Sequence, residues 1–204
     1  VSAYGWPDFH PLARMSVEVD PAILSIYAGL YELTPTKNPQ AMAEDASQRN
    51  RHTVHQSIRI TAAPGKVWAA LVASWAGETW RNADFETDWQ IGSPIAITAR
   101  IGAKRYRDKG RVIRVEPYDL LQYAYWSRIS GLPDVPSSYS TITFKIVPEG
   151  DQVLLEVEQD VPPSPLRHGK DWSIGPESGF RHVEFYWRST LPILKHVVEQ
   201  GVAI

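Results

Sequence analysis

Seven segments between Thr53 and Asp160 alternate apolar and polar residues, with turn residues between them. A period of two marks strands with one buried and one wet face. In "TVHQSIRI", Val54, Gln56, Ile58 and Ile60 point one way, and His55, Ser57 and Arg59 the other. In "DFETDWQIG", Phe85, Thr87, Trp89 and Ile91 share a face opposite Asp84, Glu86, Asp88 and Gln90. "PIAITARIG" repeats the pattern with Ile95, Ile97 and Ile101. "RYRDKGRVIRVEP", "LLQYAYWSR", "STITFKIVP" and "QVLLEVEQD" follow, separated by "PYD", "SGLPDVPSS" and "PEGD". Strands joined by such short turns pair antiparallel. The sheet they form has one apolar face to cover, and that requirement governs the rest of the chain.

Two helical stripes are available for it. Pro64 opens the first, with Val67, Trp68, Leu71, Val72 and Trp75 on one side. Gly77 interrupts it, and a second short turn is expected to carry Trp80. The C-terminal stretch "GFRHVEFYWRSTLPILKHVVEQG" is a longer helix with Val183, Tyr186, Trp187, Leu191, Leu194 and Val198 inward. Gly201 stops it, and Pro192 inside it predicts a kink. The fold class is therefore α+β: a curved antiparallel sheet of about six to seven strands around a long C-terminal helix. Such a sheet is wider than one helix, so a central cavity between them is expected.

Residues 1–50 read as an N-terminal extension, and 51–204 as the domain. Prolines 7, 11, 21, 35 and 39 punctuate the extension. Asp20–Leu33 predicts a short helix whose Ile23, Leu24, Tyr27, Leu30 and Tyr31 need a partner surface, on this domain or across a homodimer. Ala41–Arg51 is polar and reads as a linker or frayed helix.

Composition excludes several classes. A net charge of -2 gives no basic footprint for nucleic acid. The basic run Arg100–Arg111 reads as a solvated strand edge. No apolar run reaches the roughly 20 residues that span a bilayer, so no membrane insertion is expected. No secretory signal is read at the N-terminus. With no cysteine there is no disulfide, thiolate metal site or cysteine nucleophile, and a reducing, cytoplasmic address is expected. The six histidines form no HxxxH or HExxH, so no metal and no cofactor is expected. Neither G-x-S-x-G nor a phosphate-binding glycine loop occurs.

Aromatic residues are abundant, with 8 Trp and 9 Tyr. For Trp68 core packing is the expectation. Phe85, Trp89, Tyr123, Tyr125, Tyr186 and Trp187 fit either a core or a ligand-cavity wall. A buried indole or phenol needs a hydrogen-bond partner, and a wet cavity would supply one at Trp89, beside the "GSP" turn. His182, one turn before Tyr186, is the candidate general base at the cavity mouth; a surface histidine is its alternative. Arg128 and Glu184 are further candidate polar groups.

The phrases "ITAAPGKVWAAL", "DWQIGSPI", "DKGRVIRVEPYDLLQYAYWS", "SGLPDVPSSYSTITFKI" and "WRSTLPILKHVVE", in this order, resemble the START-like (SRPBCC) superfamily, in its activator-of-heat-shock-protein-ATPase-like branch. The resemblance covers Thr53 to about Gln200. It implies a helix-grip fold with a deep cavity between sheet and C-terminal helix. Its members include hydrophobic-ligand carriers, aromatic polyketide cyclases and a co-chaperone. The expected function is binding of a small hydrophobic or aromatic molecule in that cavity. The alternatives are a cyclase or hydratase acting on an aromatic or polyketide-like substrate, and a co-chaperone-like interaction protein. Inward strand faces nearly free of carboxylates favour binding over catalysis.

Overall fold

The computed structural model describes residues 52–73, 80–81, 83–101, 104–170 and 173–201. The chain divides after Pro39, and all described residues lie in the second part, Gln40–Ile204. The Asp20–Leu33 helix and its stripe lie outside the described residues, as do Trp75 and Gly77.

The elements are β1 (His52–Ile60), α1 (Pro64–Val72), β2 (Ala83–Glu86), β3 (Pro94–Ile101), β4 (Lys104–Glu116), β5 (Leu120–Trp126), β6 (Ser140–Glu149), β7 (Gln152–Val161), β8 (Arg167–His168), β9 (Ser173–Ile174) and α2 (Ser178–Gln200). The first seven strands form one antiparallel sheet in the order β1-β7-β6-β5-β4-β3-β2, and β8 and β9 form a separate small pair. Five consecutive hairpin connections run from β2 to β7, and β1 returns to pair with β7 from His52↔Val161 to Ile60↔Val153.

The alternation places its residues as expected. Val54, Ile60, Ile95, Ile97, Ile142, Phe144, Leu155 and Val157 are all buried. Fully burying each such side chain stabilises the fold by about 1.5–3 kcal/mol. β4 is irregular between Val112 and Arg114, and an extra residue there bends and twists a strand. Upstream, a Cβ on Gly110 would collide with the Ala124 carbonyl oxygen. Only glycine allows the strands to approach this closely.

α2 lies across the concave face. Val183, Trp187, Thr190, Leu191, Leu194 and Val198 form its buried side. The helix runs unbroken through Pro192 and stops at Gly201, whose φ of 64° is left-handed. Its end is tied to the first strand: Lys195 Nζ donates to the Arg59 carbonyl at 2.7 Å, and Glu199 Oε1 accepts the Thr61 N–H at 2.7 Å.

One strand ends earlier than its pattern predicts. β2 stops at Glu86, and Ile91 is 69% exposed in a turn rather than inward. The cause is local. The Thr87 hydroxyl accepts the Trp89 N–H at 3.4 Å, and Asp88 Oδ1 accepts the Gln90 N–H at 2.9 Å. These bonds replace the ladder, as short polar side chains do at turns. Trp89 has a φ of 56°, a conformation that costs any residue with a Cβ about 1–2 kcal/mol.

Candidate functional site

α1 is short, and its last four carbonyls have no partner within the helix. Side chains from the returning chain satisfy all of them. Trp80 Nε1 donates to Ala70 O at 3.0 Å, and Trp89 Nε1 to Val72 O at 2.7 Å. Arg81 Nη2 donates to Leu71 O at 2.9 Å and to Ala73 O at 2.7 Å. The loop before β2 and the turn after it are thereby fastened to one helix end.

From this junction an unbroken file of rings crosses the interior. Trp89 stacks on Phe85 with centroids 6.0 Å apart, and both rings meet Tyr123 edge-on at 6.0 and 5.8 Å. Tyr123 leads to Phe144 at 6.4 Å. Phe144 meets Trp80 at 6.5 Å and Trp187 at 5.5 Å, and Trp187 meets Tyr186 at 4.9 Å. These separations fall in the favourable range for aromatic pairs. The two ends of the file, Trp89 and Tyr186, are half-buried, while the middle is closed.

The polar groups along the file have distinct fates. Trp187 Nε1 donates to Gln159 Oε1 at 2.8 Å, and Gln159 Nε2 donates to the Tyr125 hydroxyl at 3.3 Å. Gln159 is only 1% exposed. Burial raises the Tyr125 and Tyr123 hydroxyl pKa values, with Gln159 opposing the rise for Tyr125 and Arg81 for Tyr123. Burial also pushes Tyr186 up to about 12. All three are neutral phenols at physiological pH. Arg81 is 5% exposed, between the rings of Phe85 at 4.1 Å and Trp80 at 5.0 Å. Desolvation lowers its pKa, yet a guanidinium stays charged in proteins.

Of the candidate residues, Phe85, Tyr123 and Trp187 are buried in the file, and Trp89 and Tyr186 form its ends. Tyr125 joins through Gln159. His182 is separate: it lies exposed on α2, a third of a turn from the inward Val183. Its exposure matches the alternative of a surface histidine. Arg128 is exposed too, and its backbone N–H is held by Asp108 Oδ1 at 2.9 Å. Glu184 is half-buried on α2, outside the ring file.

The reason for expecting water beside Trp89 is corrected, since its indole N–H donates to Val72 O. Each of the three indoles in the ring file, Trp80, Trp89 and Trp187, has a protein acceptor. Sequence reasoning missed Arg81, Trp80 as a cap and Gln159. Arg81 had one faint signal, a cation following a helix C-terminus.

A cleft of about 850 Å³ opens elsewhere, beside the first turn of α2, between Leu132, Pro163, Pro165, Pro176 and Arg181. No residue of the ring file lines it. Among the described residues no three His, Asp or Glu side chains gather as a metal site requires, and no helix is long and apolar enough to cross a membrane.

A seven-stranded antiparallel sheet gripping one long C-terminal helix around an aromatic interior defines a helix-grip protein of the START-like superfamily. Within that class the chain belongs to the Activator of Hsp90 ATPase homolog 1-like protein family, which matches residues 61–199. A Cytophaga hutchinsonii protein solved in solution is similar at 27% identity, over 75% of this chain and 97% of that one, with a TM-score of 0.56. The Aha1 dimer from Colwellia psychrerythraea is 18% identical over 74% of this chain and 99% of its own, with a TM-score of 0.52. CalU16 from Micromonospora echinospora is 18% identical over 74% and 78%, also with a TM-score of 0.52. The last two likenesses show the fold alone. No curated protein matches the sequence.

Proposed function

We propose that the domain binds a small, largely apolar, ring-bearing molecule between its sheet and α2. The ring file from Trp89 to Tyr186 carries this reading. It is built of rings along its length with a few fixed polar groups beside them, and it reaches the surface at both ends through half-buried aromatic side chains. Aromatic walls with a few fixed polar groups are the usual make-up of small-molecule sites. The Phe85, Trp89 and Tyr123 cluster is the receiving end, with Tyr186 and Trp187 at the other. Exposure of His182 and the raised pKa values of Tyr123, Tyr125 and Tyr186 favour binding over the cyclase alternative, which would use His182 or a tyrosine. The family's name supports the co-chaperone alternative by analogy only.

The test is a titration with the neutral fluorophore N-phenyl-1-naphthylamine. Its emission should rise and saturate at one molecule per chain while tryptophan emission falls. Trp89→Ala should weaken this binding about tenfold, or about 1.4 kcal/mol. Absence of saturable binding would overturn the reading.

A further inference from the structure

We infer that Arg81 is the anchor for an anionic oxygen group on the bound molecule, so that the ligand is an apolar ring compound carrying a carboxylate. This rests on the binding reading above and names its ligand class.

The inference starts from what capping α1 requires. Ala70 O and Val72 O are capped by neutral indole N–H groups. A neutral donor is therefore sufficient for a carbonyl at this helix end. Arg81 caps the two neighbouring carbonyls with Nη2 alone. Its charge and its second terminal nitrogen exceed that task. Nη1 is buried and finds no acceptor. Leaving such a donor unsatisfied costs about 1–3 kcal/mol, more for a charged group.

Among the described residues the surroundings supply no counter-charge. Trp80 and Phe85 offer ring faces to the guanidinium. The Tyr123 hydroxyl lies within hydrogen-bonding and electrostatic reach of the guanidinium and Tyr186 within electrostatic reach, but burial holds both as neutral phenols, which carry no counter-charge. Among the described residues no carboxylate forms an ion pair with it. Asp108, the buried acid, faces Ser127 and the Arg128 N–H instead. A buried cation without a paired anion is strongly unfavourable. The helix C-terminus offsets only part of that cost.

A second irregularity sits beside it. Trp89 holds its left-handed backbone conformation while stacking on Phe85, the ring under the guanidinium. Strained backbone and orphaned polar groups gather at functional sites. Here both meet around one ring, at the end of the file assigned to the ligand. A carboxylate is the planar acceptor that a guanidinium edge fits. The apolar body of the ligand would then lie along Phe85, Trp89 and Tyr123.

The experiment compares 2-naphthoate with its neutral amide, 2-naphthamide, by calorimetry on the full chain. The naphthoate should bind at least tenfold more tightly, and Arg81→Gln should reduce that preference to less than twofold. A wild-type preference below threefold, or one retained in Arg81→Gln, overturns the anchor while the binding reading stands. Failure of both compounds to bind overturns both readings. If Arg81→Gln does not fold, arginine-labelled wild-type protein decides by NMR. Movement of the Arg81 guanidinium signal with naphthoate and not with naphthamide supports the anchor; an unmoved signal overturns it.

Discussion

Replacing Trp89 by glycine should harm the protein less than replacing it by alanine. In most loops the order is the reverse. Glycine enlarges the freedom of the unfolded chain and costs about 0.5–1 kcal/mol relative to alanine. At position 89 the folded backbone has a φ of 56°. Any residue with a Cβ held there bears about 1–2 kcal/mol that glycine avoids. Both variants lose the stack on Phe85 at 6.0 Å and the 2.7 Å bond to Val72 O. Truncating a fully buried tryptophan costs about 3–5 kcal/mol. For this half-buried ring we expect about 2–3 kcal/mol in Trp89→Ala, and about 0.5–1 kcal/mol less in Trp89→Gly once the two backbone effects are combined. Trp89→Phe should keep the stack and lose only the bond to Val72 O, about 1 kcal/mol. Urea unfolding followed by far-ultraviolet circular dichroism measures all three, provided the slopes agree. An alanine variant more stable than the glycine variant would show that residue 89 has an ordinary backbone and that the strain argument is wrong.

Gln159→Leu should destabilise the domain by about 2 kcal/mol, because it strands the Trp187 N–H in the core. For a chain of this size that lowers Tm by about 4–8 °C; adding Trp187→Phe should cost less than the sum of the single changes, and strict additivity would deny the coupling. At acid pH, Glu199 is held below the usual carboxylate range by the Lys195 ammonium and the Thr61 N–H. A depressed folded pKa gives stability that is fully present above the unfolded value of about 4.3 and is lost as pH falls through the folded value. Glu199→Gln should therefore flatten the fall in urea midpoint below about pH 4.3; parallel profiles for wild type and variant would refute this.

The frame was legible wherever burial alone decides position. The two-residue period placed Ile97, Ile142, Phe144 and Leu155 inward, and all are buried. The 3.6-residue period did the same for Val183, Trp187 and Leu194 on α2. Legibility stopped where short polar side chains compete with the ladder. Thr87 and Asp88 end β2, although the alternation continues through Ile91. The site was partly visible, because inward aromatic residues share a strand face with their neighbours. Its polar members were not. Arg81 lies in a loop with no period, and only the chain's return to the end of α1 buries it. Gln159 occupies an inward position as a polar residue, which alternation reads as an exception; its role depends on Trp187, far away in sequence.

The pairing of β1 with β7 at one edge of the sheet has a consequence for synthesis. The first strand of the seven-stranded sheet pairs with the strand of that sheet made last, and the end of α2 is bonded to Arg59 and Thr61. Nothing made early can be completed early. While the ribosome is still adding residues, the hairpins from β2 to β6 can form one after another, but their concave face stays bare. β1 must wait through almost the whole domain for its partner, and the ring file is covered only when α2 has emerged. Long-range pairing of this kind slows folding and prolongs exposure of apolar surface. Until α2 emerges, the nascent chain therefore passes through an open, sticky, nearly complete sheet, the stage at which a chaperone holding it would matter most.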